Sequence, residues 1–322
     1  MSRSASRWQQ IAEYALVGVT IVMAAVFATI APGFLSLQNL INIALSIAVT
    51  GILAVGMTVV MVTGGIDLGV GSVIALTGVA AAMAAESTGS AVLIPLIAAL
   101  GAGVLTGLVN GTLVAYLRVP AFVATLAMLT AARGLAFLIS GGRSHGDLPD
   151  RFGWLGRSVV AGIPAPVIAM AVVMIAGAFI LKRTVFGRHS YAVGGNVEAA
   201  WLAGINTRFV TWLVYVLNGL LAGLAGLTLA SRLGAGVPSA GVQYELDVIA
   251  ACVVGGTSLT GGRGTVAGTL SGTVFIGVLT NGLNLANVDP YVQKIALGLV
   301  IVVAVIGDQL GRGGAGATSP AV

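Results

Sequence analysis

The sequence predicts an all-α integral membrane protein with about ten transmembrane helices. Of its 322 residues, 57% are apolar and only 8% are charged, and the mean hydropathy is +1.05. A soluble domain carries roughly 25% charged residues, because it needs them on its surface. Most of the surface of this protein must therefore face something other than water.

The apolar residues form runs, most of which approach the roughly 20 residues that cross a bilayer core. Long stretches of Ala, Leu, Val and Ile favour helices, because barrel strands alternate apolar and polar residues over about ten positions. The predicted spans are residues 14–32, 40–63, 71–86, 91–117, 121–140, 164–182, 209–231, 243–256, 265–285 and 290–307.

The first run resembles a secretory signal, since Arg3 and Arg7 precede it. It exceeds the roughly 7–15 residues of a signal core, and no small-x-small cleavage site follows. We therefore expect it to stay in the mature protein as the first span. The whole chain, residues 1–322, is predicted to be one transmembrane domain with a cytoplasmic N-terminus (1–13) and a flexible cytoplasmic tail (309–322).

The basic residues predict the orientation. They occur one or a few at a time between apolar runs, which fits topology signals and not a nucleic-acid patch. If the N-terminus is cytoplasmic, the inner loops hold the larger share, as the positive-inside rule requires. These inner residues are Arg3, Arg7, Arg118, Lys182, Arg183, Arg188, Arg208, Arg263 and Arg312.

Two glycine pairs interrupt apolar runs at matching places. Residues 64–71 and 255–262 both read Gly-Gly-x-x-Leu-x-x-Gly, once in each half of the chain. Gly-interrupted segments in corresponding positions of two halves indicate a transport site between repeats. We therefore predict two pseudo-symmetric halves with broken or re-entrant segments, although 47 glycines also produce such matches by coincidence.

Enzymatic motifs are absent from the sequence. A phosphate loop ends in Gly-Lys-Ser/Thr, whereas Lys182 precedes Arg183 and Lys294 precedes Ile295. The two histidines fall in loops on opposite predicted sides of the membrane, so they cannot share a metal. The single cysteine, Cys252, excludes an internal disulfide. We expect no enzymatic activity, no metal and no cofactor in this chain.

The largest predicted cytoplasmic loop, residues 183–208, contains a short helix with clear boundaries. Asn196 is a capping residue, Glu198 suits the first turn, and Gly204 ends the helix. The helix is too apolar to remain solvated without a partner, and it lacks the dense Lys/Arg face of a helix that lies on lipid. Its apolar residues are Ala199, Ala200, Leu202 and Ala203.

The segment Glu198-Ala199-Ala200 with Gly204 four residues further on resembles the EAA loop of ABC importer permeases, which docks in a cleft of the ATPase subunit. Over residues 35–308 the chain is similar to the permeases of ribose, xylose, arabinose and galactose importers. Gly69 and Val197 depart from the usual serine and glutamate of that family. The matching segments are residues 56–72, 120–135, 186–196, 203–205, 244–259 and 281–285.

The resemblance implies a set of partners and a location. It implies a second permease copy or paralogue, a sugar-specific ATPase that binds ATP and magnesium, and a periplasmic sugar-binding protein. It also implies a fold similar to vitamin B12 importer-type permeases in a bacterial inner membrane. The expected cargo is a monosaccharide, with a ribose-like pentose favoured over a hexose.

Polar residues within the spans are candidates for the translocation path or its gate. Sugars present only hydroxyl groups, so uncharged donors and acceptors suit their passage; the alternative is that these residues bond between helices. The candidates are Thr63, Gly64, Gly65, Asp67, Asn110, Asn218, Glu245, Asp247, Gly255, Gly256, Asn281 and Asn284. Arg133 is expected to bond to periplasmic loops or to touch the binding protein; the alternative is that its side chain snorkels to the membrane interface.

Two other functional classes stay open from the sequence. An ion-coupled secondary transporter needs an ion-binding carboxylate at mid-membrane, and Asp67 is the best candidate. The other class is a membrane enzyme or an assembly scaffold. The sequence contains no catalytic constellation that would support the enzyme.

Overall fold

A computed structural model describes the backbone of residues 3–313 and the side chains of residues 15–306. Within that part of the chain the all-α membrane architecture is confirmed. In chain order the helices are α1 (Arg3–Ile30), α2 (Leu37–Val62), α3 (Val70–Thr88), α4 (Leu93–Ala115), α5 (Ala121–Ser140), α6 (Ala165–Arg183), α7 (Val185–Gly195), α8 (Val197–Leu202), α9 (Thr207–Leu233), α10 (Tyr244–Val254), α11 (Val266–Leu285) and α12 (Pro290–Gly313). A 3₁₀ turn (Asp150–Trp154) and a hairpin of β1 (Val159–Val160) with β2 (Ile163–Pro164) lie between α5 and α6.

Each predicted span coincides with a helix, but the helices differ in length. In the described residues, seven helices are long and apolar enough to cross a membrane: α2, α3, α4, α5, α6, α9 and α11. The apolar stretches Ala15–Ile30 of α1 and Pro290–Ile306 of α12 are shorter. Helix α10 has 11 residues, which at 1.5 Å per residue is about half of the roughly 30 Å hydrocarbon core.

Helix α7 is an element that the sequence did not predict, because the loop of residues 183–208 was expected to hold only α8. Glycine disfavours helix interiors, and α7 contains Gly187, Gly194 and Gly195. The Thr184 hydroxyl caps its first turn by accepting from Gly187 N at 3.2 Å. Tertiary packing of the small residues therefore outweighs their low helix propensity.

The two predicted terminal segments are covered only in part. Helix α1 begins at Arg3, and α12 continues to Gly313, which is inside the segment predicted as a tail. Residues 1, 2 and 314–322 lie outside the described residues, so both terminal assignments stay predictions.

Helices α2, α3 and α9 are the most buried of the seven long apolar helices, and α4 packs closely on α9. A Cβ added at Gly103 would overlap the backbone oxygen of Gly219, and a Cβ added at Gly219 would overlap that of Gly103. Small residues at helix contacts let two backbones approach within a membrane. This contact fixes α4 against α9, and with it the two asparagines that these helices carry.

A buried polar contact joins three further helices. The Thr58 hydroxyl of α2 and the Thr269 hydroxyl of α11 are 2.6 Å apart. Cys252 of α10 is fully buried, with its Sγ 3.5 Å from the Thr58 hydroxyl. The last turns of α2 and α10 are thus linked to the first turn of α11.

Candidate docking and transport sites

The predicted short helix is present as α8, and its first turn is capped as the sequence indicated. Asn196 Oδ1 accepts a hydrogen bond from Ala199 N at 2.9 Å. This bond satisfies one of the N–H groups that a helix start leaves without a partner. Glu198 lies exposed in the first turn, where a carboxylate interacts favourably with the helix dipole.

The end of α8 depends on Gly204. Its φ is +81°, in the left-handed region that favours glycine. Gly204 N donates to Trp201 O at 2.9 Å, and Ile205 N donates to Ala200 O at 3.1 Å in the same turn. These paired bonds form a Schellman motif, so the chain leaves the helix in a fixed direction.

The two faces of α8 have different environments. Ala200 is buried against Val193 of α7 and Val210 of α9. Trp201 and Leu202 are 65% and 75% exposed, and Val197 of the same helix is also exposed. Exposed apolar faces are typical of surfaces that contact a partner protein or a membrane. Trp201 was not among the predicted docking residues, although its spacing of four from Val197 places both on one helix face.

Helix α7 contacts the end of α2, just before the first glycine pair, and the loop that follows the second glycine pair. Tyr191 Oη donates to Gly264 O at 2.7 Å. Burial raises the pKa of the Tyr191 phenol, so the hydroxyl stays a donor. A Cβ added at Gly194 would overlap Val62 O and would lie 2.7 Å from Gly262 N.

The first glycine pair ends α2. Gly64 has a φ of +82°, and its N–H bonds to Met61 O at 2.9 Å while Gly65 N bonds to Val60 O at 3.1 Å. Thr63 caps the same turn, with its hydroxyl donating to Val60 O at 2.7 Å. The helix therefore stops here and the chain continues as the short segment before α3.

The second pair ends α10 in the same way, with the positions shifted by one residue. Here Gly256, the second glycine, has the positive φ of +84°. Gly256 N bonds to Val253 O, and Thr257 N bonds to Cys252 O, each at 2.9 Å. Gly255 precedes this turn with an ordinary φ of −71°. Both repeats thus end a helix in a Schellman motif.

Each glycine pair lies in a helix break: the first break is residues 63–69, between α2 and α3, and the second is residues 255–265, between α10 and α11. The two breaks contact each other and α7. Gly262 N donates to Val62 O at 2.8 Å, which connects the second break to the end of α2. A depression of about 300 Å³ opens at this junction. Its lining residues are Gly194, Gly195, Ser258, Thr260, Gly261, Gly262 and Arg263.

Asp67, within the first break, lies at the centre of a buried polar cluster. Its Oδ1 accepts from Gly69 N at 2.8 Å, and its Oδ2 accepts from Asn218 Nδ2 at 2.8 Å. Asn110 of α4 lies beside this carboxylate. All three side chains are buried. The structure therefore brings together three predicted path residues from three parts of the chain.

Tyr215 adds a fourth polar group that the sequence did not reveal. It is 1% exposed and adjoins Gly65, where a Cβ would lie 2.6 Å from its hydroxyl. The Tyr215 hydroxyl, Asn110 Oδ1 and Asn218 Oδ1 are buried without a hydrogen-bond partner in the described part of the chain. A tyrosine in an apolar helix gives no sequence signal of such a position.

Asn281 and Asn284 lie elsewhere and bond between helices. Asn281 of α11 and Asn39 of α2 exchange two amide hydrogen bonds, at 2.9 and 3.0 Å. Asn284 is exposed and accepts from Gln293 Nε2 at 2.9 Å. These contacts match the alternative in which asparagines join helices.

Glu245 and Asp247 occupy the first turn of α10, next to the start of α3. A Cβ added at Gly71 would overlap the Glu245 carboxylate, so the two chain segments touch there. Arg133 of α5 binds the loop before α10, donating from Nη1 to Pro238 O at 2.9 Å and to Ala240 O at 2.6 Å. Arg133 thus bonds to a loop, as one of its two predicted roles required.

No three His, Cys, Asp or Glu side chains within residues 15–306 are placed to share a metal ion. The functional features of the described chain are therefore an exposed apolar helix, two helix breaks and a buried polar cluster.

Comparison with known proteins supports the resemblance seen in the motifs. A family model described as "Branched-chain amino acid transport system / permease component" matches residues 39–305. The chain belongs to this permease family. The ribose import permease RbsC of Haemophilus influenzae is 45% identical over 293 residues, covering 89% of this chain and 90% of that protein. No solved structure matches the chain.

Other permeases agree with this assignment. RbsC of Bacillus subtilis is 42% identical, covering 86% of this chain and 87% of its own. The L-arabinose ABC transporter permease AraH of Azospirillum brasilense is 40% identical, covering 95% and 90%. The relatives named for sugars thus cover between 86% and 95% of this permease.

Proposed function

We propose that this chain is the membrane-spanning subunit of an ATP-driven importer that carries a ribose-like pentose across a bacterial inner membrane. The observation that carries the proposal is the 45% identity to ribose import permeases over 89% of the chain. The family description names branched-chain amino acids, but the relatives that align over most of the chain are named for ribose and arabinose. We therefore favour a sugar.

The finer architecture follows from the same proposal. We assign about ten crossings in two pseudo-symmetric halves, similar to vitamin B12 importer-type permeases, with α10 as a re-entrant half-helix and both termini in the cytoplasm. Equivalent Schellman turns at Gly64 and Gly256 support the pairing of the halves. The basic residues Lys182 and Arg183 at the end of α6 support a cytoplasmic α7 and α8.

In this mechanism the chain has no motor of its own. A periplasmic binding protein delivers the sugar, and an ATPase subunit that binds ATP and magnesium docks on α8 in each of two permease copies. Closure of the ATPase pair moves α8, and the permease changes which side of the membrane its path faces. Asn196, Glu198, Ala199, Ala200 and Gly204 are assigned to docking.

A buried carboxylate keeps a second mechanism open, namely ion-coupled transport through Asp67. Both of its oxygens accept hydrogen bonds from Gly69 and Asn218, which favours a role in holding the break. The remaining path candidates Thr63, Gly64, Gly65, Asn110, Glu245, Asp247, Gly255 and Gly256 are assigned to the path or its gate.

The two mechanisms are separated by the energy source. The chain is reconstituted in liposomes with the ATPase subunit and the sugar-binding protein of the same importer, and entry of radiolabelled D-ribose is measured. We expect uptake that requires ATP and survives ionophores that collapse proton and sodium gradients. Uptake that follows the ion gradients and needs no ATP would replace our proposal with the ion-coupled one.

A further inference from the structure

Helices α7 and α8 form one corner that shares a single capping residue. Asn196 N donates to Ala192 O at 3.1 Å and ends α7, while the Asn196 side chain caps α8. Val193 of α7 and Ala200 of α8 pack in the same apolar cluster with Val210. Because the joint is short, capped and packed, a displacement of α8 carries α7 with it.

The other face of this corner is closely seated on both helix breaks. At Gly194 no side chain fits, because a Cβ would overlap Val62 O at the end of α2 and approach Gly262 N of the second break. The same two atoms are hydrogen-bonded to each other at 2.8 Å. Gly194 therefore touches the point at which the two breaks join.

Tyr191 makes a second contact, one helical turn before Gly194. Its hydroxyl bonds to Gly264 O at 2.7 Å, and Gly264 precedes α11 in the chain. Tyr191 and Gly194 are three residues apart, so both lie on the same face of α7. Helix α7 is thus fixed to the chain at two points on one side.

We infer that Tyr191 and Gly194 are positioning residues that transmit movement of α8 to both helix breaks. This inference rests on the proposed function, since it needs an ATPase that moves α8. The contacts continue into the membrane domain, because α2 ends at the first break, which contains Asp67. Thr58 of α2 is also hydrogen-bonded to Thr269 of α11. A displacement of Val62 therefore also displaces Asp67, because only residues 63–66 separate them in the chain.

The test compares two neighbouring glycines in α7. Gly194→Ala inserts a methyl group where backbone atoms leave no space, whereas no atom lies within 4 Å of a Cβ added at Gly195. Gly195→Ala is therefore the matched control. In the reconstituted complex we measure ATPase-subunit affinity, ATP hydrolysis and D-ribose uptake for each variant.

For Gly194→Ala we expect unchanged ATPase-subunit affinity and continued hydrolysis, with ribose moved per ATP hydrolysed reduced about tenfold, within the usual range of coupling between sites. Gly195→Ala is expected to match the wild type. A wild-type ratio for Gly194→Ala overturns the inference. So does an equal loss in both variants, or a loss of ATPase-subunit binding in Gly194→Ala, because the contact would then serve docking or folding.

Tyr191→Phe offers a milder variant that keeps the ring and removes only the hydroxyl. Because one hydrogen bond is lost, we expect the ribose moved per ATP hydrolysed to fall about fivefold, with unchanged affinity for the ATPase subunit. Tyr116→Phe is the control, since Tyr116 at the end of α4 is 46% exposed. A ratio for Tyr191→Phe equal to that of Tyr116→Phe contradicts the assignment of Tyr191.

Failure of the proposed function has a different signature. If the wild-type complex hydrolyses ATP without moving ribose, or if the ATPase does not bind, both the proposed function and the inference are wrong. If the wild type is coupled and Gly194→Ala is coupled equally well, only the inference is wrong.

Discussion

The Asp67 carboxylate depends on groups that come from different parts of the chain. Gly69 N is a local donor, whereas Asn218 belongs to α9, 151 residues away in sequence. The Thr125 hydroxyl of α5 additionally donates to Ile66 O at 3.3 Å. A buried carboxylate is costly unless its oxygens are paired. The Gly69 and Asn218 donors therefore offset the burial of Asp67, and together with Thr125 they fix the segment between α2 and α3.

Asn218→Leu tests this dependence. Leucine has a similar size but no donor, so Asp67 Oδ2 loses its partner in a buried site. We expect a loss of about 3 kcal/mol in the free energy of unfolding, the usual cost of leaving a buried charged group unpaired. The measurement is the free energy of unfolding in detergent micelles titrated with SDS.

The control for this variant is Asn284→Leu, because Asn284 is exposed and loses only its hydrogen bond with Gln293, so stability is expected to change by less than about 1 kcal/mol. Equal stability of the two variants would show that the Asn218–Asp67 bond contributes little to the fold.

At the scale of elements, local signals were sufficient for α8 and insufficient for α7. Asn196, Glu198 and Gly204 specify the start and end of α8 within nine residues, and the structure has the helix there. Helix α7 contains three glycines that lower its propensity, and it is stabilised by contacts with distant backbone such as Val62 and Gly264. Such contacts are invisible in a single sequence.

The glycine repeat was also only partly readable. Its position at the ends of α2 and α10 was predicted, but the positive φ falls on the first glycine of one pair and the second of the other. Likewise, the sequence grouped Asn281 with Asn218, although Asn281 pairs with Asn39 and only Asn218 meets Asp67. Which polar residues meet depends on how helices pack, and periodicity alone does not specify that.

The exposed face of α8 gives a prediction about docking. Trp201→Ala removes a large apolar side chain that is 65% exposed and so contributes little to folding. We expect affinity for the ATPase subunit to fall about 30-fold, the size of a typical interface hot spot, with an unchanged unfolding midpoint. Binding is measured by titrating labelled ATPase subunit onto permease in nanodiscs.

The matched control is Tyr291→Ala, which removes an exposed aromatic residue from the first turn of α12. It is expected to bind the ATPase subunit like the wild type. If both variants bind equally well, α8 is not the docking element.

Charge at the start of α8 supplies a separate test. Glu198→Lys places a positive charge in the first turn, where the helix dipole favours a negative one, and it reverses the charge presented to the partner. We expect uptake of ribose to fall with the ATPase activity uncoupled from it. A purified Glu198→Lys complex with normal ATPase binding and normal uptake would contradict the docking role of this residue.

At the scale of the whole molecule, the fold separates into a buried centre and an apolar periphery. Helices α2, α3 and α9 are largely buried, while about a third or less of the apolar stretch of α4, α5 and α6 is buried. In water such a periphery would aggregate, but in lipid it is the surface that inserts. The exposed ends of the molecule then decide the orientation on which the proposed function depends.

That orientation is testable because the chain has one cysteine, and Cys252 is fully buried. In a Cys252→Ala background, Leu202→Cys on α8 and Val160→Cys on β1 each introduce one thiol at a position that is more than half exposed. With α8 in the cytoplasm, a membrane-impermeant maleimide is expected to label Val160→Cys in spheroplasts and Leu202→Cys only after permeabilisation. Labelling of Leu202→Cys in sealed spheroplasts would place α8 outside, where no ATPase can reach it, and the importer mechanism would fail with it.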